Sequence, residues 1–315
     1  MKSIHNQLLL FLRGVAMGAV DLVPGVSAGT IALVTGIYGE LIHTIKSFNL
    51  NALKVLKNDG ISAAWQHING QFLLILLSGI LFSLFSFASL MNYLLTAFPI
   101  QLWCFFMGLI ISSVIYLLRQ NTPSKPYLIA LLIMGVLIAS VFSVVPSVVL
   151  DTGYVSIFIA GSIALCAMIL PGISGSFILV LLGLYPVFIN ALATFQIDFL
   201  IVFAMGGVFG LMLLSRVLSW LMDHYKAAVI ATMCGFLLGS LSLIWPWKNI
   251  AATAISAENQ LTVGAQNILP QNYLATVGQE PYILSSGLAF VFGLMTVFVI
   301  EKLASSAQLS KKQDH

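Results

Sequence analysis

Long apolar stretches near 72–95, 99–118, 127–147, 199–221, 227–247 and 282–302 alternate with shorter polar connections. Each is close to the roughly 20 residues that an α-helix needs to cross a bilayer, so the pattern predicts six transmembrane helices. Two further apolar regions, 8–38 and 155–188, are broken near their middles by Pro24-Gly25 and Pro171-Gly172. The breaks leave pieces of roughly 13–16 residues, which at 1.5 Å per residue reach only about 20–24 Å into a hydrocarbon core ~30 Å thick. These regions therefore predict two re-entrant helical hairpins, each entering and leaving on one face. Residues 40–57 place Leu41, Ile45, Phe48, Ala52, Val55 and Leu56 at helical spacing with Lys46, Lys54 and Lys57 among the polar positions. That is the pattern of an interfacial amphipathic helix on an anionic leaflet; a solvated linker is the bland alternative. Residues 248–281 are polar, contain Pro270 and Pro281, and predict an external loop.

Composition sharpens the class. Hydrophobic residues make up 60% of the chain, charged residues 7%, and the mean hydropathy is +1.05, which excludes a water-soluble domain of this length. Arg13 interrupts the N-terminal apolar run, so the start reads as mature sequence and not as a signal peptide. Cys104, Cys166 and Cys234 lack paired spacing, so neither a disulfide framework nor a metal site is expected. Cytoplasmic loops are enriched in Lys and Arg. With both termini inside, Lys2, Lys46, Lys54, Lys57, Arg119, Lys125, Lys226, Lys302, Lys311 and Lys312 are cytoplasmic and only Lys248 is outside. Three crossings then separate the hairpins, which open to opposite faces. The expected fold is an all-α polytopic membrane protein built as an inverted repeat: 1–150 (hairpin 8–38, interfacial helix 40–57, three spans) and 151–315 (hairpin 155–188, three spans, loop 248–281).

The chemistry concentrates in the broken regions. Pro24-Gly25-Val26-Ser27-Ala28-Gly29-Thr30 returns as Pro171-Gly172-Ile173-Ser174-Gly175-Ser176, and each copy is followed by a Gly-x-Tyr, Gly36-Ile37-Tyr38 and Gly183-Leu184-Tyr185. Pro-Gly ends one helix and starts another, leaving backbone N–H groups that lipid cannot satisfy. A helix start with free N–H groups favours an anion. Ser27, Thr30, Ser174 and Ser176 add hydroxyls there, and Gly29 and Gly175 allow close approach. Hydroxyls that merely cap the half-helices are the alternative, and the duplication favours a ligand site.

Ionisable residues inside apolar segments are costly and mark function. Arg13 precedes the first phrase and is a candidate phosphate ligand. Asp21 has three readings: a helix cap, a partner for Arg13, or a proton carrier. Arg216 either snorkels to the interface or binds phosphate. Glu40 is a weaker candidate for proton coupling, placed at the inner surface. Tyr38 and Tyr185 read as motif residues or interface anchors. Gly14/Gly18 and Gly235/Gly239 read as helix-packing pairs.

From Arg13-Gly14-Val15-Ala16-Met17-Gly18-Ala19-Val20-Asp21-Leu22-Val23-Pro24-Gly25-Val26-Ser27 through Tyr38-Gly39-Glu40, and again from Leu170-Pro171-Gly172-Ile173-Ser174-Gly175-Ser176 through Gly183-Leu184-Tyr185, the chain resembles the PopT-type undecaprenyl phosphate translocases. Ala28 departs from the usual Ser-Gly-Gly of the first motif. The resemblance implies a flippase that returns undecaprenyl phosphate, a carrier lipid for peptidoglycan and envelope polysaccharide, from the outer to the inner leaflet of the bacterial cytoplasmic membrane. The residues alone support an anion transporter, so a small soluble anion is the alternative cargo. A lipid-phosphate phosphatase is disfavoured, because His5, His43, His67, His224 and His315 lie outside both phrases. No ATP-binding phrase is present, and neither a cofactor nor a nucleic acid partner is expected; membrane lipids and the carrier lipid are the expected partners.

Overall fold

The computed structural model describes residues 4–21, 27–121, 125–142, 151, 153–172, 175, 178–179, 182–184, 187–188, 190–191, 194–255 and 261–313. They form α1 (Ile4–Asp21), α2 (Ala28–Val34), α3 (Tyr38–Ser47), α4 (Leu50–His67), α5 (Gly70–Ala97), α6 (Pro99–Gln120), α7 (Pro126–Phe142), α8 (Tyr154–Ile169), α9 (Ile197–His224), α10 (Lys226–Ser240), β1 (Lys248–Ile255), β2 (Leu261–Asn267), α11 (Pro270–Val277) and α12 (Ile283–Gln313). The protein is a helical, multi-pass membrane protein. Each of the six expected spans overlaps a helix, α5, α6, α7, α9, α10 or α12, but α10 ends at Ser240, short of the expected 247. Among the described residues, three are long and apolar enough to cross a bilayer (Gly70–Phe87, Pro99–Gln120 and Ile197–His224), or four if the bent pair α2 and α3 counts as one span. The apolar parts of α7, α10 and α12 are shorter.

The chain divides into two compact units, Met1–Met91 with Tyr116–Ser240, and Asn92–Ile115 with Leu241–His315. In the first, helices meet backbone to backbone at glycines. A Cβ on Gly14 would lie 2.3 Å from the Leu76 carbonyl oxygen, and one on Gly79 would lie 2.3 Å from that of Phe11, so α1 and α5 touch through paired glycines. The same reciprocity joins α8 to α9 through Gly161 and Gly206, and α7 to α10 through Gly135 and Gly235. In lipid no hydrophobic force draws helices together, and small residues let dispersion and weak backbone contacts do so. Gly14, Gly18, Gly235 and Gly239 pack as their spacing predicts.

α1 and α2 pack against each other, and α2 also contacts α8. Pro24 and Gly25 lie outside the described residues. A sharp bend follows eleven residues later: α2 and α3 diverge by 117° across Thr35–Ile37, where Gly36 takes a φ of +78° that few other residues tolerate. The 40–57 stretch, expected as one surface helix, divides at Phe48-Asn49. α3 packs on α9 with Tyr38, Ile42 and Thr44 buried. α4 starts anew under Asn49, whose side chain accepts from the Asn51 and Ala52 N–H groups at 2.9 and 3.1 Å. α4 exposes Leu53, Leu56 and Ile61, the last at 80%, beside Lys54 and Lys57. α4 continues to His67 across a kink at Gly60, whose φ of +83° is not helical.

In the second unit Gly108 of α6 and Gly293 of α12 make another reciprocal contact, flanked by Phe105 over Phe292 at 5.7 Å. The stretch expected as a loop is folded. β1 and β2 pair antiparallel, and Trp247 and Tyr273 pack with Ile100 and Cys104. Trp245 Nε1–H donates to the Ile268 carbonyl at 2.8 Å and Trp247 Nε1–H to that of Pro281 at 3.0 Å. Lys248 donates to the Leu243 carbonyl, and burial pulls its pKa below the ordinary lysine value. Trp245→Phe is expected to cost about 1 kcal/mol and to raise amide exchange over 261–268 selectively; uniform exchange across the chain would contradict this local role.

Candidate functional site

The two Pro-Gly phrases meet. Ser27 is the N-cap of α2, in extended conformation at φ −112° and ψ 137°, and its Oγ accepts from the Gly29 N–H at 3.1 Å. The same hydroxyl donates to the Met168 carbonyl, 3.0 Å away in the last turn of α8. Thr30 has no exposed surface, and its Oγ1 accepts from the Gly172 N–H at 3.3 Å. A Cβ on Gly29 would lie 2.4 Å from the Ile169 carbonyl oxygen. Gly172 is in the left-handed region at φ +84°, against the backbone of Phe236 and Leu237. The chain can make this junction only because three things coincide: a capping serine, a glycine without side chain, and a turn residue that tolerates positive φ.

Each hydroxyl here serves the fold. Ser27 caps its helix, as the capping alternative requires, and also ties it to the last turn of α8, just before the second phrase. Thr30 satisfies the Gly172 N–H, which would otherwise be a buried orphan. Pro171 is buried beside them, and a Cβ on Gly175 would lie 2.7 Å from the Ala164 carbonyl oxygen. Ser174, Ser176 and Tyr185 lie outside the described residues, as does the side chain of Asp21.

The remaining candidates are spread out. Arg13 is partly buried on α1, within electrostatic reach of Glu40. Glu40 is exposed in the first turn of α3 and accepts from Asn69 Nδ2 at 3.1 Å; Asn69 also donates to Thr44 Oγ1 at 3.3 Å. Arg216 is exposed on α9, the position a snorkelling side chain takes. Tyr38 is 1% exposed, so it packs inside the helical body and does not anchor a membrane surface.

One cluster has no counterpart in the motifs. Lys46 Nζ donates to Ser219 Oγ at 3.0 Å, Ser219 Oγ lies 3.1 Å from His43 Nδ1, and His43 Nε2 lies 3.4 Å from Asp223 Oδ1. One assignment satisfies every group: the Ser219 hydroxyl donates to Nδ1, and Nε2–H faces the carboxylate. The spacing His43/Lys46 and Ser219/Asp223 puts each pair on one helix face, which is visible in the sequence. That the two faces meet is not. Among the described residues no group of His, Cys, Asp and Glu side chains could hold a metal ion.

Comparison with known proteins bears on these residues. Residues 17–262, which include both phrases, match a family described as undecaprenyl phosphate translocase-like. A polyprenyl-phosphate transporter of Vibrio cholerae serotype O1 is 41% identical over 300 residues, covering 95% of this chain and 97% of its own. A polyprenyl-phosphate transporter of Staphylococcus aureus is 34% identical over 255 residues, covering 75% of this chain and 85% of its own. Both relatives are named as transporters, in agreement with the expectation of a transporter and not an enzyme. No solved structure matches the chain significantly.

Proposed function

The chain belongs to the undecaprenyl phosphate translocase-like family, and we propose on that footing that it carries polyprenyl phosphate across the bacterial cytoplasmic membrane. Its direction is from the outer to the inner leaflet, returning undecaprenyl phosphate for envelope polymer synthesis. The names of both relatives support the cargo. The observation that carries the mechanism is the direct contact between the two Pro-Gly phrases, through Thr30 and Gly172.

The phosphate head group binds at this junction while the polyprenyl chain stays in lipid. A phosphate oxygen is a stronger acceptor than a threonine hydroxyl, because it is charged. It takes the Gly172 N–H in place of Thr30 Oγ1 and frees that hydroxyl to donate. Ser27, Ser174 and Ser176 add donors, Gly29 and Gly175 let the neighbouring backbones close in around the site, and Arg13 or Arg216 supplies the positive charge. Asp21 and Glu40 are the candidates for proton coupling.

An inverted repeat underlies this arrangement. Gly14 stands ten positions before Pro24, as Gly161 stands before Pro171. These glycines dock α1 on α5 and α8 on α9, as equivalent elements would. The pairings α6 with α12 and α10 with α7 exchange under the same correspondence. Placing α4 as an insertion in the first half accounts for the longer spacing from Gly14 to Gly79. The hairpins enter from opposite faces, with both termini cytoplasmic, and one repeat rocks against the other.

Purified protein in liposomes, offered polyprenyl phosphate or inorganic phosphate, tests the cargo. Movement of the lipid alone supports the reading; movement of inorganic phosphate alone favours a soluble anion and overturns it. Arg13→Ala and Ser174→Ala are expected to slow lipid movement about ten-fold, the equivalent of about 1.4 kcal/mol. Wild-type rates in normally inserted variants would remove these residues from the site.

A further inference from the structure

The polar cluster between α3 and α9 takes no part in the chemistry above. It has the residue types of a hydrolytic triad, but Ser219 has no exposed surface and α3 covers it, so it presents no nucleophile. Nor does it suit a phosphate, because Asp223 already faces His43. What the cluster does is tie a helix of the first half to a helix of the second. We infer that His43, Lys46, Ser219 and Asp223 form a releasable clasp, closed in this structure, whose opening lets the two halves separate during transport. The inference rests on the transport reading.

Three features make the tie releasable. First, His43 and Asp223 side chains are 50% and 46% exposed, so water replaces each partner at little cost. The glycine contacts within α8–α9 and α7–α10 have no such exchange, because separating backbones in van der Waals contact loses packing that nothing replaces. Second, the closed seam contains a mismatch. Tyr38, on α3, buries its hydroxyl without a hydrogen-bond partner among the described residues, which disfavours this arrangement relative to one where that hydroxyl meets water. Third, α3 has a hinge. It joins α2 through Gly36, at φ +78°, where no atom of the described residues lies within 4 Å of a Cβ position.

The hinge links the clasp to the site. α2 carries Ser27 and Thr30, so a swing of α3 about Gly36 bears directly on their bonds to Met168 and Gly172. The other charged groups leave the clasp to itself: Glu40 is engaged by Asn69, His224 Nδ1 lies 2.9 Å from the Trp220 carbonyl, and Arg216 points to the exposed side of α9. These are positioning residues, acting through the helices they join.

The test follows accessibility of Ser219 during transport. Ser219→Cys protein in liposomes is treated with a membrane-impermeant maleimide, and peptide mass spectrometry reads the label at position 219. Undecaprenyl phosphate is expected to raise labelling about five-fold over the phosphate-free polyprenol, as a shift toward the open state requires. Deuterium uptake over 38–47 in the unmodified protein is expected to rise under the same addition. Unchanged labelling together with unchanged uptake overturns the clasp. If the cysteine variant does not insert, uptake in the unmodified protein decides alone. Wild-type protein assayed in the same vesicles separates the two failures: if it moves no lipid phosphate, the transport reading falls and the clasp's role with it.

Discussion

Gly29→Val protein is expected to lose nearly all transport while still inserting into the membrane. A side chain at position 29 starts 2.4 Å from the Ile169 carbonyl oxygen, a backbone atom with no freedom to rotate away. The two phrases must separate, which removes the Ser27 bond to Met168 and the Thr30 bond to Gly172 together. Forcing volume into a packed junction costs about 1–3 kcal/mol, and each lost buried bond adds about 1 kcal/mol. If transport needs the junction, the rate falls on the order of a hundred-fold or more. Gly39→Ala is the control, because nothing among the described residues lies within 4 Å of its Cβ position; it is expected to behave as wild type within about 0.5 kcal/mol. Lipid movement in liposomes compares the two. Near-normal transport by Gly29→Val would mean that the contact between the phrases is dispensable.

The second large effect is on stability. Gly206→Leu places Cβ 2.0 Å from the Phe158 carbonyl oxygen and is expected to force α8 and α9 apart, at a cost of at least about 3 kcal/mol. Gly79→Leu, 2.3 Å from the Phe11 carbonyl oxygen, is expected to cost a similar amount at α1 and α5. Gly287→Leu, with open space around it, is expected to be near neutral. Unfolding in mixed detergent micelles measures all three. Equal losses at positions 79 and 206 are what two equivalent helix pairs produce. A large loss at one and none at the other would argue against that equivalence.

Much of this architecture was legible from apolar run length. α5, α6 and α9 are continuous hydrophobic segments, and nothing in a folded protein competes with that signal. The Pro-Gly phrases announced themselves by repetition, and the helix start at Ser27 by capping chemistry. Other features were hidden for identifiable reasons. The 40–57 pattern could not distinguish a bilayer surface from a protein surface, because both are apolar; α3 packs on protein, while α4 leaves Leu53, Leu56 and Ile61 exposed. Strands β1 and β2 are rich in Ala, Asn and Thr, and lack the alternation that marks a half-buried strand. The bond between Ser219 and His43 spans 176 sequence positions. Single-sequence periodicity carries no information about which faces meet at that distance. The hydroxyls of Ser27 and Thr30 illustrate a further limit. Their type was readable, but their use in holding the phrases together depends on a neighbour known only once the chain is folded.

The glycine contact between α7 and α10 also constrains how the protein is made. Phe142 leaves the ribosome well before Lys226, and at 5–20 residues per second the interval is on the order of ten seconds. During that time the Thr232 and Gly235 backbone that Gly135 packs against is not yet synthesised. A nascent chain stopped before α10 therefore carries an incomplete helix pair. The insertion machinery must shelter α7, or the bilayer must tolerate it alone, until the second half arrives. Completion of the α7–α10 contact thus waits on translation of Lys226 and the residues after it.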